Sequence, residues 1–243
     1  MSNNLDNFYS SGEFLKRNPD SYDEAEWKLN FINCFLSKVV ISEYKIADFG
    51  SGQMHISKNL AKQHVNIDFF AYDIIPKDLI DASGLSLNLQ YVHSNYYPSD
   101  NCFDLTLAID VLEHISSPIE TLIKMSDCSN YVLIHIPLDI SFLSLLRTKV
   151  FEKLKTTVGH INFYSTNTAK IMIDAAELEI VESCYTDAYK SFPLNRKLSV
   201  KFMTFVRNIF SIIFSKKLSA DVFGGQTMFI LARKKNVNHD GHF

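Results

Sequence analysis

The chain has 243 residues, of which 47% are hydrophobic and 21% charged, a composition typical of a globular protein and not of a disordered or fibrous one. This length suffices for a well-buried core, and the formal net charge of -3 provides no basic excess of the kind that nucleic-acid binding requires. We therefore expect small-molecule or lipid partners and no nucleic acid.

The four cysteines, Cys34, Cys102, Cys128 and Cys184, are widely scattered and show no metal-ligand spacing. They are interpreted as buried thiols in a reducing compartment, and no metal site is expected. Residues 1–6 are polar and lack the apolar core of a signal peptide. No apolar stretch reaches the roughly 20 residues that cross a bilayer. These features predict a cytoplasmic protein that does not span a membrane.

The chain begins its regular structure with apolar positions at helical spacing over 21–40, which predict an N-terminal helix. Apolar runs then alternate with segments of helical period, a pattern typical of a parallel sheet covered by helices. The predicted strands are 45–49, 67–72, 89–93, 103–109, 131–136, 179–185 and 227–232.

The domain organisation follows from these elements. About forty residues separate the last two predicted strands, which is longer than an ordinary connection, so a helical insertion is expected at about 187–225. We predict a flexible N-terminus over 1–20, a single domain over 21–234 that includes the insertion, and a disordered tail over 235–243.

The first predicted strand ends in Asp48-Phe49-Gly50-Ser51-Gly52. Glycines serve such a loop where the backbone bends tightly and a ligand approaches closely. The second strand ends in Asp73, about 20 residues later, where a dinucleotide-type site places an acid against ribose hydroxyls. Met54 stands where a pyrophosphate-bearing cofactor prefers a third glycine, so a ligand without pyrophosphate fits better.

Three further segments complete a recognisable set: Phe103-Asp104, Asp110-Val111-Leu112-Glu113-His114, and Gly159-His160-Ile161-Asn162-Phe163-Tyr164-Ser165. With the glycine loop and Asp73, they resemble the class I S-adenosylmethionine-dependent methyltransferases over residues 27–233. The last segment is similar to the small-molecule branch. The resemblance implies a doubly wound, mostly parallel, seven-stranded α/β sheet of Rossmann-like type, with an antiparallel last strand and S-adenosylmethionine as the cofactor.

The resemblance also implies the residues that bind the cofactor. They are Asp48, Gly50, Ser51, Gly52, Asp73, Ile74, Asn95, Asp110 and Val111. The glycines would line the methionine part, Asp48 would order the loop, and Asp73 would hold the ribose. Asn95 stands where the family often has an acid that meets adenine, and Asp110 would lie with Val111 below the sulfonium.

Methyl transfer from a sulfonium is an in-line displacement, in which the protein aligns donor and acceptor and, where required, removes a proton. Histidine is the usual base near neutral pH, so His114 and His160 are the predicted catalytic residues. Each has a structural alternative: His114 packed beneath the helix after Pro118, and His160 holding its loop. His135, within an apolar run, is predicted to be a core histidine.

The function expected from these features is methylation of a small-molecule or lipid-linked acceptor, with oxygen favoured as the acceptor atom. Two alternatives are open. Met54 and Asn95 depart from the family pattern, which would suit a catalytically inactive binding or scaffold domain. A relative that transfers an aminopropyl group from the decarboxylated cofactor would share the fold.

The predicted insertion contains an amphipathic helix at 200–215, with Lys201 near its start and Lys216 and Lys217 after its end. An apolar stripe bracketed by cations is typical of helices that lie in the interface of an anionic membrane. This pattern predicts peripheral contact with the inner face of the membrane. The alternatives are that the stripe covers the core or forms a homodimer contact.

Overall fold

The computed structural model describes residues 11, 21–94, 98, 102–147, 149–188 and 198–235. Asn95, the predicted flexible N-terminus apart from residues 11 and 21, and the predicted tail beyond 235 lie outside the described residues. The strands are β1 (Lys45–Phe49), β2 (Asp68–Asp73), β3 (Leu89–His93), β4 (Phe103–Ile109), β5 (Ser129–Pro137), β6 (Leu178–Thr186) and β7 (Thr227–Lys234).

The strands form one seven-stranded sheet in the order β3-β2-β1-β4-β5-β7-β6. The pairs from β3 through β5 are parallel, whereas β7 runs antiparallel to both β5 and β6. The predicted fold, a mostly parallel sheet with an antiparallel last strand, is therefore confirmed, and the predicted strand ends differ from the observed ones by at most two residues.

Helices cover the sheet and connect its strands. They are α1 (Ser21–Leu36), α2 (His55–Gln63), α3 (Pro118–Asp127), α4 (Phe142–Leu145), α5 (Lys149–Thr157), α6 (Thr166–Ala175), α7 (Leu198–Ile213) and α8 (Lys216–Phe223), with a 3-10 turn at Lys77–Leu79. The last two helices lie in the predicted insertion.

Two apolar cores lie on opposite faces of the sheet. One core includes side chains from α1 and α2, and the other includes side chains from α3 and α6. Consecutive residues of one strand serve different cores: Leu133 belongs to the first and Ile134 to the second, and both are fully buried. Because successive side chains of a strand point to opposite faces, a strand covered on both sides is apolar throughout.

The strand order places the site. β1 lies between β2 and β4, so the chain reverses its direction of travel across the sheet beside β1. In open α/β sheets a ligand binds outside the carboxyl ends of the strands at such a point. The loops that follow β1, β2, β4 and β5 therefore meet at one edge.

Helix α7 packs on α8 through Arg207 and the aromatic ring of Phe210. Arg207 Nη2 donates to the carbonyl of Phe223 at 3.1 Å, and the rings of Phe210 and Phe223 are 5.0 Å apart. The apolar stripe points outward instead. Its exposed members are Phe202, Phe205, Ile209, Ile212 and Ile213, which are 41–84% exposed. The stripe does not cover the core, which corrects one of the alternatives above.

None of the described helices has both the length and the apolar character needed to cross a membrane.

Candidate active site

The loop after β1 depends on two glycines with left-handed backbones, Gly50 at φ +72° and Gly52 at φ +54°. The amides of Gly50 and Ser51 both donate to the carbonyl of Tyr72, at 2.9 and 3.1 Å. A Cβ on Gly50 would lie 2.5 Å from a methyl group of Val111, whereas a Cβ on Gly52 would have no described atom within 4 Å. Gly50 thus permits contact with the loop after β4, and the loop opens to free space at Gly52.

Asp73 ties this loop to the end of β2. Its Oδ2 accepts from the amide of Gly52 at 2.7 Å, and its Oδ1 accepts from the amide of Ile75 at 3.0 Å. Burial raises the pKa of Asp73, and these backbone donors oppose the rise. The next residue, Ile74, is half-buried, and its carbonyl lies 3.0 Å from a ring nitrogen of His93. The Oγ of Ser51 is buried and has no hydrogen-bond partner among the described residues.

Asp48 and Met54 lie beneath the loop. Asp48 is 3% exposed, and Ser57 Oγ donates to its Oδ2 at 2.5 Å. Burial raises the pKa of Asp48 to about 7. Met54 takes the left-handed backbone that glycine favours, at φ 59°, and its side chain is fully buried in the core shared with α1 and α2. The side chain of Asp48 therefore joins the end of β1 to α2, and the side chain of Met54 packs inward.

Asp110, which follows β4, is held in a network of buried polar groups. It also has a left-handed backbone, at φ 54°. Its carboxylate contacts Lys28 Nζ and lies 2.6 Å from His135 Nδ1, while His135 Nε2 is 2.7 Å from Thr227 Oγ1. Burial alone would raise the pKa of Asp110, but His135 and Lys28 hold it well below its usual range. His135 is a buried histidine with both ring nitrogens bonded, as predicted.

The turn after β4 is joined to the loop before α6. Residues 111–114 form a turn, and α3 does not begin until Pro118. The carbonyl of Glu113 accepts from the amides of Ile161 and Asn162, at 2.8 and 3.0 Å. Two segments that the sequence singled out separately are therefore hydrogen-bonded to each other.

This junction brings four ionisable side chains together. The rings of His114 and His160 are 5.0 Å apart, and His160 Nδ1 lies 2.9 Å from Asp139 Oδ2. Burial, with a smaller contribution from His160, lowers the pKa of His114 to about 4. Glu113 is 1% exposed, and burial together with the charge of Asp110 raises its pKa well above the usual range.

Three members of this neighbourhood were not predicted as site residues. Glu113 belongs to a segment that the sequence singled out, but its burial depends on the loop that packs over it. Asp139 lies two residues beyond β5, at the edge where ligands bind, and that position is the signal by which it could have been found. Lys28 lies on α1 and carries no local signal, since only the packing of α1 brings it to Asp110.

A parallel sheet that reverses beside β1, with a glycine loop after β1, an acid ending β2 and a polar turn after β4, has the arrangement of the class I methyltransferase fold. A family model described as a methyltransferase domain matches residues 21–183. The chain belongs to this methyltransferase family. S-adenosylmethionine is the family's cofactor, as the resemblance implied.

Solved structures share the fold at low identity. A chain of the complex between the Haloferax volcanii Trm112 methyltransferase activator and a methyltransferase is 13% identical, with 96% of this chain and 98% of that one covered and a TM-score of 0.61. An S-adenosylmethionine-dependent methyltransferase from Archaeoglobus fulgidus is 18% identical, with 86% and 94% covered and a TM-score of 0.52.

A third structure is the Haemonchus contortus phosphoethanolamine N-methyltransferase 2 in complex with phosphomonomethylethanolamine and S-adenosylhomocysteine. It is 13% identical, with 92% of this chain and 60% of that one covered and a TM-score of 0.59. At such identities the likeness concerns the fold alone. No match was found among curated protein sequences.

Proposed function

We propose that the protein transfers the methyl group of S-adenosylmethionine to a small-molecule acceptor at the edge formed by the loops after β1, β2, β4 and β5. The observation that carries this proposal is the loop after β1. Its buried Ser51 Oγ has no partner among the described residues, and the space beside Gly52 is open. A buried hydroxyl needs a partner, and a bound ligand would supply one at this point.

The residues present fit the cofactor. Gly50, Ser51 and Gly52 would hold its methionine part, and Asp73 with Ile74 would hold its ribose. Asp73 accepts from the backbone amides of Gly52, Ile74 and Ile75, and a carboxylate has about four acceptor sites, which leaves room for a ribose hydroxyl. When bound, the cofactor supplies an electrophilic methyl group on a sulfonium.

Asp110 and Val111 are proposed to lie below the sulfonium. The lowered pKa of Asp110 keeps its carboxylate ionised, although Lys28 and His135 already contact it. Asn95 remains the proposed contact to adenine.

The acceptor would lie against His114 and His160. With a pKa near 4, His114 is neutral at physiological pH but only a weak base, and Asp139 orients the ring of His160, the second proposed base. Oxygen is the proposed acceptor atom, because a hydroxyl must lose a proton before or during transfer. The small amine in the Haemonchus contortus structure supports a small-molecule acceptor.

The outward stripe of α7 is proposed to rest on an anionic membrane, which would suit a lipid-linked or otherwise apolar acceptor. Lys201, Lys216 and Lys217 are exposed at the two ends of the stripe and would face lipid phosphates. A homodimer contact through the same stripe is the alternative.

Titration calorimetry with S-adenosylhomocysteine tests the proposal first. We expect one molecule to bind per chain, whereas an inactive scaffold without a cofactor site would show no heat. Formation of S-adenosylhomocysteine from S-adenosylmethionine is then measured with phenolic, amine and vesicle-borne prenylphenol acceptors. Binding without turnover on any of them would favour the scaffold, and turnover on amines alone would reject oxygen as the acceptor atom.

A further inference from the structure

We propose that Glu113, His114 and His160 together bind a divalent first-row transition-metal ion. Each side chain offers one ligand atom, and these atoms all lie within 4.8 Å of one another. No metal site was predicted from the sequence, because the scattered cysteines show no metal-ligand spacing. These ligands lie on two separate segments of the chain, which hydrogen bonds from Ile161 and Asn162 to the turn after β4 join.

The geometry requires only a small contraction. Metal–nitrogen and metal–oxygen bonds of about 2.0–2.2 Å place neighbouring ligand atoms roughly 3–3.5 Å apart. The nitrogen of His114 is 4.0 Å from the nearer oxygen of Glu113. Rotation of the two imidazoles by about an ångström at their tips would therefore close the site around an ion.

The charge of the site favours a cation. Glu113 Oε2 is buried and has no hydrogen-bond partner among the described residues. Burial and the charge of Asp110 disfavour the ionised form of Glu113, and Asp139 adds negative charge nearby, so a cation bound to the carboxylate would offset this cost. Lys28 contacts Asp110, and a cation between Glu113 and the imidazoles would lie directly against the carboxylate of Glu113.

The surroundings of both histidines suit metal ligands. Asp139 holds Nδ1 of His160, which leaves Nε2 for an ion, and the backbone of Gly159 holds the ring of His114. Such outer hydrogen bonds fix the tautomer and direction of ligating histidines. Two imidazoles and one carboxylate favour Zn²⁺, Fe²⁺ or Co²⁺ over Mg²⁺ and leave coordination positions open.

Metal binding does not depend on the proposed methyl transfer. If that function holds, an open coordination position would take the acceptor oxygen. A ring nitrogen that binds the ion cannot also remove a proton, so the experiment below decides between the two roles of His114 and His160.

The test is titration of zinc chloride into untagged, metal-free protein that carries Cys34→Ser, which removes an exposed thiol. We expect one equivalent to bind per chain. Glu113→Gln, which keeps the shape and removes the charge, should weaken binding at least 10-fold, as should His160→Ala. Asp139→Asn should weaken it about 10–100-fold. His64→Ala is the matched control, since His64 follows α2 and contacts Asn33, and it should leave binding unchanged.

Absence of zinc binding, or equal binding by Glu113→Gln, would overturn the inference. Cobalt substitution of the protein with native Glu113 and histidines gives an independent readout: d–d bands without thiolate charge-transfer bands are expected, and thiolate bands would overturn the site. S-adenosylhomocysteine is titrated into the same samples. Binding of zinc without binding of S-adenosylhomocysteine would support this inference and reject the proposed function. Binding of S-adenosylhomocysteine without binding of zinc would support the proposed function and reject this inference.

Discussion

Single residues of the loop after β1 have separable roles, which Gly50 and Gly52 illustrate. Both have positive φ, so alanine is strained at either position by about 1–2 kcal/mol. Only at Gly50 would the added Cβ also meet Val111, at 2.5 Å. The obstacle at Gly50 is thus a side chain of the protein itself, in addition to any cofactor.

We expect Gly50→Ala to lower the free energy of unfolding by about 1–3 kcal/mol beyond that strain, because overpacking costs this much. Thermal and urea unfolding without cofactor measure the effect. Gly52→Ala should show the strain alone but weaken binding of S-adenosylhomocysteine, since its Cβ enters the open space.

The double variant Gly50→Ala, Val111→Ala is the control, because removing the two methyl groups relieves the contact. It should be more stable than the sum of the two single changes predicts. If the changes in the free energy of unfolding of the two single variants simply add up in the double variant, the contact with Val111 is not the cause of the destabilisation.

Asp73 braces the loop through the amide of Gly52, and its proposed second role is to bind the ribose. We expect Asp73→Ala to weaken binding of S-adenosylhomocysteine by about 1–3 kcal/mol, or roughly 5–150-fold, because a charge-assisted acceptor is lost. Asp73→Asn keeps one acceptor oxygen, so its affinity for S-adenosylhomocysteine should lie between those of the unchanged protein and Asp73→Ala. Calorimetry with both variants measures this, and an unchanged dissociation constant in Asp73→Ala would reject the ribose role.

At the scale of the element, α7 is unusual because its apolar side is exposed while Arg207 and Phe210 face α8. We expect the protein to co-sediment with anionic vesicles at low salt and less at high salt, because screening weakens its cationic flanks. The variant Phe205→Glu, Ile209→Glu should remain in the supernatant.

The matched control is Val65→Glu, Leu87→Glu, which adds the same charge at two exposed apolar positions outside α7. It should sediment like the unchanged protein, and circular dichroism checks the folding of both variants. If the unchanged protein stays in the supernatant at low salt, the membrane contact is rejected. Its mass in solution then tests the homodimer alternative.

At the scale of the whole molecule, the buried Asp48 links stability to pH. Its unfolded pKa is near 3.8 and its folded pKa is about 7, so between these values the folded protein binds the proton more tightly. The free energy of unfolding should therefore fall as pH rises from about 4 to about 7, by at most about 4 kcal/mol.

Asp48→Asn removes this titration and keeps an acceptor for Ser57, so its melting temperature should gain on that of the unchanged protein between pH 5 and pH 8. Asp104→Asn is the control. Backbone amides of the loop before β1 lower the pKa of Asp104, so its contribution is fully present above pH 4 and its effect should not vary over this range. If the difference in melting temperature between Asp48→Asn and the unchanged protein does not change with pH, Asp48 does not titrate between pH 5 and pH 8.

Much of the fold follows from the sequence because its signals are local. Strands covered on both faces are mostly apolar, as β4 and the middle of β5 are, so their positions were predicted to within two residues. The loop after β1 and the acid at Asp73 have a characteristic spacing that depends on one strand, one turn and one helix. The antiparallel last strand came from the family resemblance alone. The extent of the single domain, 21–234, stays a prediction.

Only the tertiary structure decided which distant side chains meet. The sequence singled out His114 and His160, but their approach to Glu113 and Asp139 depends on how the loop before α6 packs on the turn after β4. The spacing of apolar residues predicted an apolar stripe on α7. It did not predict whether the stripe faces the protein or solvent, because the pattern within one helix does not specify which side its neighbours cover. Patterns along the chain report the local backbone and the amphipathic faces, whereas the charge balance of a buried site is a sum over elements brought together by packing.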